Sequence, residues 1–229
     1  MMKNNSNLYC LIIIFMVVSP SSIIAELITP ENNSTLNYLH ILFEWEQEPE
    51  TDHYEIQISE YSDFSNHILH VDATTLVYIE KDALDWNKNY QWRIRPVNST
   101  GESGLWTNSY SFSTGSSLSE STTIISNISE IQNGITVFGA FFNYFSAAID
   151  HNGREIWNSG SESIVYYSTN IYGDVFGCTL VSAAENNLPG MEFTFDGETV
   201  WEEPNDEFLH HDIIQLPNGN YLGIVEASS

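Results

Sequence analysis

Three consecutive polar residues near the C-terminal end, His210, His211 and Asp212, form the group in this sequence best suited to chemistry. An imidazole can bind or release a proton near neutral pH, so either histidine is a candidate for a catalytic or substrate-binding role. The triplet begins a strand that leads into the hairpin-turn sequence Pro217-Asn-Gly-Asn220. Successive side chains on a strand point to opposite faces, so only one histidine can face a given site. The triplet alone leaves a structural role equally open.

Two earlier segments each combine an Asx-Gly turn with a strand that ends in tryptophan. The first is Asp150-His-Asn-Gly-Arg-Glu-Ile-Trp157, and the second, 44 residues on, is Thr194-Phe-Asp-Gly-Glu-Thr-Val-Trp201. Glycine allows a positive φ and Asp or Asn binds its own backbone, which is what a tight hairpin turn needs. A return after about 40–45 residues is typical of one β-propeller blade. Two such units cannot close a ring, so they predict the front end of a longer propeller.

A calcium-binding loop is the alternative interpretation of the first turn, because Asp150 and Asn152 alternate as oxygen ligands would. The later ligands of such a loop are missing from the sequence. We therefore expect a hairpin turn with His151 in solvent, and we predict no metal and no cofactor.

The elements that position these groups form two modules, and the first spans residues 26–115. Three of its runs alternate apolar and polar residues, which indicates a small antiparallel β-sandwich. The strand spacing, with a last strand at 110–114, resembles a fibronectin type III domain. Trp45, Trp92 and Trp106 are expected to pack within it rather than to bind ligand. The alternating apolar residues are Ile41, Phe43 and Trp45, then Tyr54, Ile56 and Ile58, then Tyr90, Trp92 and Ile94.

The second module spans residues 116–229 and follows a Ser-rich stretch, 115–123, that is typical of a linker. Apolar runs at 135–149, 164–172 and 175–183 indicate strands, and none keeps a helical period. The predicted fold class is therefore all-β, a fibronectin type III-like β-sandwich followed by an incomplete β-propeller of about two blades. Repeat units bury their faces against one another, so we expect an exposed apolar edge on this half.

Charge and the N-terminal segment indicate the compartment and exclude some partners. The chain has 31 acidic and 6 basic residues, a net charge of −25, which argues against nucleic acid or an anionic membrane surface as partner. A cation, an apolar run at 8–18 and small residues up to Ala25 are typical of a secretory signal peptide over residues 1–25. We therefore predict a secreted or periplasmic protein, free of the membrane after cleavage, with an uncleaved anchor as the alternative. Cys178, alone after cleavage, is expected to be a buried apolar residue.

Taken together, these motifs resemble those of the bacterial arylsulfotransferases. The resemblance rests on the fibronectin-like module, the two Gly-to-Trp units, and Leu209-His-His-Asp followed by Leu216-Pro-Asn-Gly-Asn-Tyr-Leu222. It implies a secreted or periplasmic propeller that moves a sulfuryl group from an aryl sulfate to a phenol through a histidine intermediate, without a cofactor. It also implies His211 as the catalytic candidate and His210 as the weaker, substrate-binding candidate. The implied partners are a small aryl sulfate and a phenol.

The sequence departs from that family in its positive charge. From residue 116 onward it has 16 acidic residues and one cation, Arg154, whereas a sulfuryl-transfer site needs positive side chains around the anionic oxygens. We therefore predict that the 229-residue chain by itself has no sulfotransferase activity. The alternative function is a non-catalytic secreted binding or scaffold protein that recognises a glycan or protein through its fibronectin-like and propeller modules. The sequence does not indicate the oligomeric state.

Overall fold

The fold is all-β, as the sequence predicts. The computed structural model describes residues 25–118, 127–130, 132–139, 146–160, 164–179, 189–204 and 212–225. Within them the elements are strands, apart from a short 3₁₀ helix at Ile128–Glu130. No helix in these ranges is long and apolar enough to cross a bilayer. Of the predicted signal peptide, only Ala25 falls inside the described residues.

Eight strands form the N-terminal module as two sheets whose buried faces share one core. They are β1 (Leu27–Thr29), β2 (Ser34–Leu36), β3 (Ile41–Trp45), β4 (His53–Ser59), β5 (Leu69–Ala73), β6 (Val77–Glu80), β7 (Asn89–Val97) and β8 (Tyr110–Thr114). The spatial order is β1-β3-β6 in one sheet and β2-β8-β7-β4-β5 in the other. Neighbouring strands are antiparallel except β2 and β8, which are parallel. The module is therefore a β-sandwich.

The core of the sandwich is made of the residues whose alternation predicted it. All nine apolar residues of the three alternating runs are at most 3% exposed. Phe43 meets the ring of Trp92 edge to face, with 5.1 Å between ring centroids. Burying a side chain of this kind stabilises a fold by about 1.5–3 kcal/mol. The predicted sandwich core is confirmed.

Trp106 also packs, but on the outer surface of the sandwich. The guanidinium carbons of Arg93 and Arg95 each lie 4.5 Å from its ring centroid. Arg93 also donates to Gln57 Oε1, and Arg95 forms an ion pair with Glu55. A cation over an aromatic face contributes about 0.5–1 kcal/mol at exposed sites. Two of the six basic residues of the chain are thus held on one face of the sandwich.

The second module contains three antiparallel sheets among its described residues. Its strands are β9 (Thr136–Gly139), β10 (Ser146–Ile149), β11 (Glu155–Asn158), β12 (Ile164–Thr169), β13 (Val175–Thr179), β14 (Gly190–Phe193), β15 (Thr199–Glu202), β16 (Ile213–Gln215) and β17 (Tyr221–Gly223). The sheet orders are β11-β10-β9, β12-β13-β14-β15 and β16-β17. The four-stranded meander has the strand content of one propeller blade. The apolar run at 135–149, taken as one segment from the sequence, contains two strands.

The Asx-Gly segments form the hairpin turns that the sequence predicts. Asp150 Oδ1 accepts the backbone N–H groups of Asn152 at 2.8 Å and of Arg154 at 3.0 Å, so this carboxylate closes the turn. Gly153 has a φ of 78°, which favours glycine. His151 is exposed, as expected. Among the described residues, no group of three or more His, Cys, Asp or Glu side chains is arranged to hold a metal ion.

The two modules share a sheet edge, which the sequence did not reveal. Segment 37–39, which crosses between the two sheets of the sandwich, lies antiparallel beside β11 through a bridge between Tyr38 and Trp157. The backbone N–H of Leu39 donates to Ile156 O at 2.8 Å, and Asn158 N donates back to the carbonyl of residue 37 at 3.0 Å. The sandwich therefore contributes a fourth row to the sheet β11-β10-β9. We call this contact between segment 37–39 and β11 the module seam.

The described part of the predicted linker is bound to the second module. Ser117 Oγ and the backbone N–H of Leu118 donate to the two carboxylate oxygens of Glu155, at 3.0 and 2.9 Å. The side-chain amide of Asn158 donates to the carbonyl of Ser116 at 3.0 Å. Residues 119–123 lie outside the described residues. The stretch therefore leaves the sandwich along the module seam.

Cys178 on β13 is fully buried, as predicted. Burial raises the pKa of its thiol to about 11. The thiol therefore stays protonated near neutral pH, which makes it a poor nucleophile.

We expect Gly177→Ala to destabilise the second module, because a Cβ at this position would overlap the backbone oxygen of Val165 on β12. Forcing two paired strands apart costs about 1–3 kcal/mol of unfolding free energy. Urea denaturation followed by circular dichroism measures the change. Gly115→Ala is the control, because its nearest neighbour, the Leu36 oxygen, lies at 3.6 Å. Equal stability of the two variants would contradict the prediction.

Candidate functional site

The two histidines singled out by the sequence, His210 and His211, lie outside the residues that the structure describes. The next residue, Asp212, is exposed, and Ile213 is fully buried at the start of β16. Strand β16 pairs with β17, with Ile213 opposite Gly223, which confirms the predicted hairpin. The structure therefore fixes the strand that follows the histidines.

Tyr221 attaches this hairpin to the four-stranded sheet. Its hydroxyl donates to Glu192 Oε2 on β14 at 2.5 Å, and its ring stacks on Trp201 of β15 with 3.8 Å between centroids. Burial and the neighbouring Glu192 carboxylate raise the pKa of Tyr221 to about 12. The phenol therefore remains a hydrogen-bond donor near neutral pH. Strand β16 thus has a fixed position against the preceding sheet.

Arg154, the single cation after residue 115, is used at the boundary between the modules. Its guanidinium donates to the carbonyl of Asp82 at 3.1 Å and to the carbonyl of Leu84. It also forms an ion pair with Asp85 at 3.0 Å. Arginine is suited to holding several oxygens at once because its donors form a rigid fork. Here those oxygens belong to the sandwich, so Arg154 does not serve as a free anion-binding group.

Glu80 holds the turn that receives Arg154. Its buried Oε1 accepts the backbone N–H groups of Asp82 and Ala83, both at 2.7 Å, and Oε2 accepts the Tyr78 hydroxyl at 2.8 Å. Burial raises the pKa of Glu80, but these donors lower it more, so the net pKa lies below the usual glutamate value. The ionised carboxylate therefore fixes the carbonyls that Arg154 binds.

A cleft of about 360 Å³ lies beside the module seam, between the sandwich and the second module. This volume falls in the range of about 300–1,000 Å³ that is usual for small-molecule sites. Its lining is mostly apolar and comes from both modules. The lining side chains used below are Tyr38, His40, Leu42, Ala148, Trp157, Phe195 and Asp196.

Three side chains, the phenol of Tyr38, the imidazole of His40 and the carboxylate of Asp196, give the cleft its polar character. The Tyr38 phenol lies near the carboxylate of Asp196, and burial together with that charge raises the pKa of Tyr38 well above its usual value. Burial and the charge of Lys81 lower the pKa of His40. Near neutral pH the cleft therefore contains a neutral phenol, a largely neutral imidazole and one exposed carboxylate.

Sequence reasoning found only part of this cleft. Asp196 was recognised as a turn residue, and Trp157 as the end of a strand. Tyr38 belongs to the other module and has no local signal for a site. What joins them is the module seam, a pairing of segments about 120 residues apart that a periodicity argument cannot detect.

Comparisons with known proteins identify no family for this chain. No protein-family model matches it, and no curated protein matches it in sequence.

Three solved structures show distant likenesses. An α-L-rhamnosidase from Streptomyces avermitilis is 15% identical, with a TM-score of 0.29, over 40% of this chain and 11% of its own. An α-L-rhamnosidase from Dictyoglumus thermophilum is 17% identical, with a TM-score of 0.32, over 52% of this chain and 15% of its own. The FN1-FN3 domains of chicken CNTN1 are 10% identical, with a TM-score of 0.31, over 76% of this chain and 65% of their own. The chain thus spans a small part of both rhamnosidases and just under two thirds of the chicken structure, and likenesses this distant carry no functional argument.

We expect Arg154→Gln to weaken the contact between the two modules that lies beside the module seam. The substitution leaves two carbonyl oxygens and the Asp85 carboxylate without their shared donor, a loss of about 1–3 kcal/mol in unfolding free energy. Urea denaturation measures it. His151→Gln, in the same turn and exposed, is the control and should leave the stability unchanged. An unchanged unfolding free energy of Arg154→Gln would show that the guanidinium does not stabilise the contact between the modules.

The lowered pKa of Glu80 predicts a pH dependence of stability. A carboxyl group whose pKa is lower in the folded state stabilises the fold above its unfolded pKa, and this contribution disappears as the pH falls through the folded pKa. Glu80→Gln should therefore be less stable than the native chain at about pH 7, with the difference shrinking towards about pH 3. Denaturation curves across this range test it, with the exposed Glu46→Gln as control. A constant difference at every pH would contradict the assignment.

Proposed function

We propose that this chain is the N-terminal part of a secreted arylsulfotransferase-like protein, and that the 229 residues by themselves are inactive. The observation that carries the proposal is the segment from Leu209 to Leu222. Its motif residues lead into β16 and β17, whose hairpin is attached to a four-stranded meander through Tyr221. The proposal includes a signal peptide over residues 1–25 and a secreted or periplasmic location.

In this proposal His211 is the catalytic residue, and His210 is the weaker, substrate-binding candidate, because neighbouring side chains on a strand point to opposite faces and only one of them can face the site. By resemblance, the imidazole nitrogen of a histidine from a later blade attacks the sulfur of an aryl sulfate, the sulfur–oxygen bond breaks, and phenolate leaves, while His211 binds the substrate or handles a proton. The oxygen of an acceptor phenol then bonds to the sulfur, the nitrogen–sulfur bond of the sulfohistidine breaks, and the proton of the phenol passes to a base or to water. Phenolate is a tolerable leaving group because a phenol ionises near pH ~10.

The inactivity of the 229 residues follows from their charge. Residues 116–229 have 16 acidic residues against one arginine, a net charge of −15 with neutral histidines. That arginine is bound to three oxygens of the sandwich. The negative charge that develops on sulfuryl oxygens needs positive groups directed at it. The proposal therefore requires cations from further blades.

A second candidate function is a non-catalytic secreted protein that binds a glycan or another protein. The observation that favours a binding role is the cleft beside the module seam, whose mostly apolar lining from both modules suits a group of a protein partner better than a sugar and contains no arginine or lysine among its described residues. Binding in such a cleft needs no nucleophile. This candidate assigns no catalytic role to His211.

The coding sequence beyond Ser229 separates the two candidates. Further blades with histidine and arginine at strand starts would support the enzyme, and expression of that longer product with His211→Ala should abolish turnover of an aryl sulfate. A stop codon directly after Ser229 would sink the enzyme proposal and leave the binding function.

For the 229-residue chain we expect no release of phenolate from an aryl sulfate in the presence of a phenol acceptor. The physical reason is that Arg154, the one cation of residues 116–229, is already bound to the sandwich and cannot hold the sulfuryl oxygens. Absorbance of 4-nitrophenolate, compared with a buffer blank, measures the release. Turnover above the blank that is lost in His211→Ala would overturn the prediction, whereas turnover retained in that variant would indicate a contaminant.

A further inference from the structure

The cleft beside the module seam has aromatic walls from both modules. The rings of Trp157 and Phe195 are 5.1 Å apart at 86°, so they meet as two walls at a right angle. Trp157 Nε1 donates to the carbonyl of Phe195 at 2.5 Å, which fixes this corner. All three rings line the cleft, with Trp157 buried and Phe195 and Tyr38 half-buried. The aromatic corner is therefore held in place before any ligand arrives.

Asp196 is the one carboxylate among the described residues that line the cleft. Asp196 follows Phe195 in the turn between β14 and β15 and is exposed. No basic side chain in the described part of the chain forms an ion pair with it. The nearby phenol of Tyr38 is neutral, so it does not neutralise the charge of the carboxylate. Asp196 can therefore offer a full negative charge to a ligand.

We infer that this cleft binds a small organic cation, an alkylammonium or arylammonium compound. The cationic group would lie against the Asp196 carboxylate and the aromatic corner, and the apolar part would contact Leu42 and Ala148. Aromatic faces attract an organic cation by about 0.5–2 kcal/mol each, and a carboxylate adds a stronger, charge-assisted contact. The net charge of −25 raises the local concentration of cations around the whole molecule.

The same features disfavour the other ligand classes. An aryl sulfate would place its negative charge beside Asp196, and Arg154 is already bound to the sandwich. A sugar needs several hydrogen-bonding groups, whereas this lining is mostly apolar. The site uses neither His210 nor His211, so it is independent of the proposed sulfuryl transfer.

Isothermal titration of the 229-residue chain tests the inference with three probes that share a phenyl ring. They are benzyltrimethylammonium, which is cationic, benzyl alcohol, which is neutral, and phenyl sulfate, which is anionic. We expect binding of the cation at least about tenfold tighter than binding of either other probe, because only the cation gains the Asp196 contact. Equal affinity for the three probes, or no binding of the cation, would overturn the inference.

A matched pair of variants separates a defined site from general attraction by the acidic surface. Asp196→Asn removes the carboxylate and keeps an Asn-Gly turn, so the hairpin should still form. Glu198→Gln removes one negative charge from an exposed position in the same turn. We expect Asp196→Asn to weaken binding of benzyltrimethylammonium by about tenfold and Glu198→Gln by less than about twofold. Equal losses would sink the proposal.

Phe195→Leu provides a second readout if Asp196→Asn alters the fold. It removes one aromatic wall and keeps an apolar side chain, so binding of the cation should weaken severalfold while weak binding of benzyl alcohol changes little. The unfolding free energy of each variant, measured by urea denaturation, identifies any variant that does not fold. An unchanged affinity of folded Phe195→Leu for the cation would exclude the aromatic corner as the site.

Discussion

Strand β11 can be buried only because segment 37–39 of the sandwich occupies its outer edge. All four residues of Glu155–Asn158 are buried, and an unpaired backbone N–H or C=O in such a place costs as much as a lost hydrogen bond. Leu39 N and Asn158 N supply two of the bonds that close this edge. The indole N–H of Trp86 donates to the Glu155 carbonyl and closes it further. The cleft, the Arg154 contacts and the start of the linker all lie around this seam.

Four of the five lysine and arginine side chains in the described part of this acidic chain are committed to structure, the exception being the exposed Lys81. Arg93 and Arg95 stack against Trp106 on the sandwich, Lys88 pairs with Glu60 at 3.1 Å, and Arg154 binds the turn beyond β6. A positive charge that already has oxygen partners contributes little to recognising an anion. The described part of the molecule is therefore better suited to attract cations than anionic substrates, which bears on both proposed functions.

Local patterns predicted the elements, and long-range pairing decided the site. The alternation around Phe43 and Trp92 identified the sandwich core, and the Asx-Gly pairs at 152–153 and 196–197 identified turns, because each depends on neighbours within a few residues. Tyr38 gave no signal, since its role arises from a bridge to Trp157. His210 and His211 keep their sequence-based assignment as predictions. The charge of Arg154 was noticed, but only the fold shows which oxygens it binds.

The two ends of the second module differ in how their apolar surfaces are covered. At the first sheet, the sandwich covers the open edge. It has the same effect as the capping repeat at the end of a repeat protein, which shields the apolar face of its neighbour. At the last hairpin and on the neighbouring strand β15, apolar side chains are exposed, as the sequence led us to expect: Val200, Ile214, Leu222, Ile224 and Val225. Ile214 and Leu222 are cross-strand partners, so the hairpin presents an apolar pair that suits a partner. In the proposed longer protein the next blade would cover it, as segment 37–39 covers β11. The sandwich would then cap the first blade, since it pairs with the open edge of the first sheet.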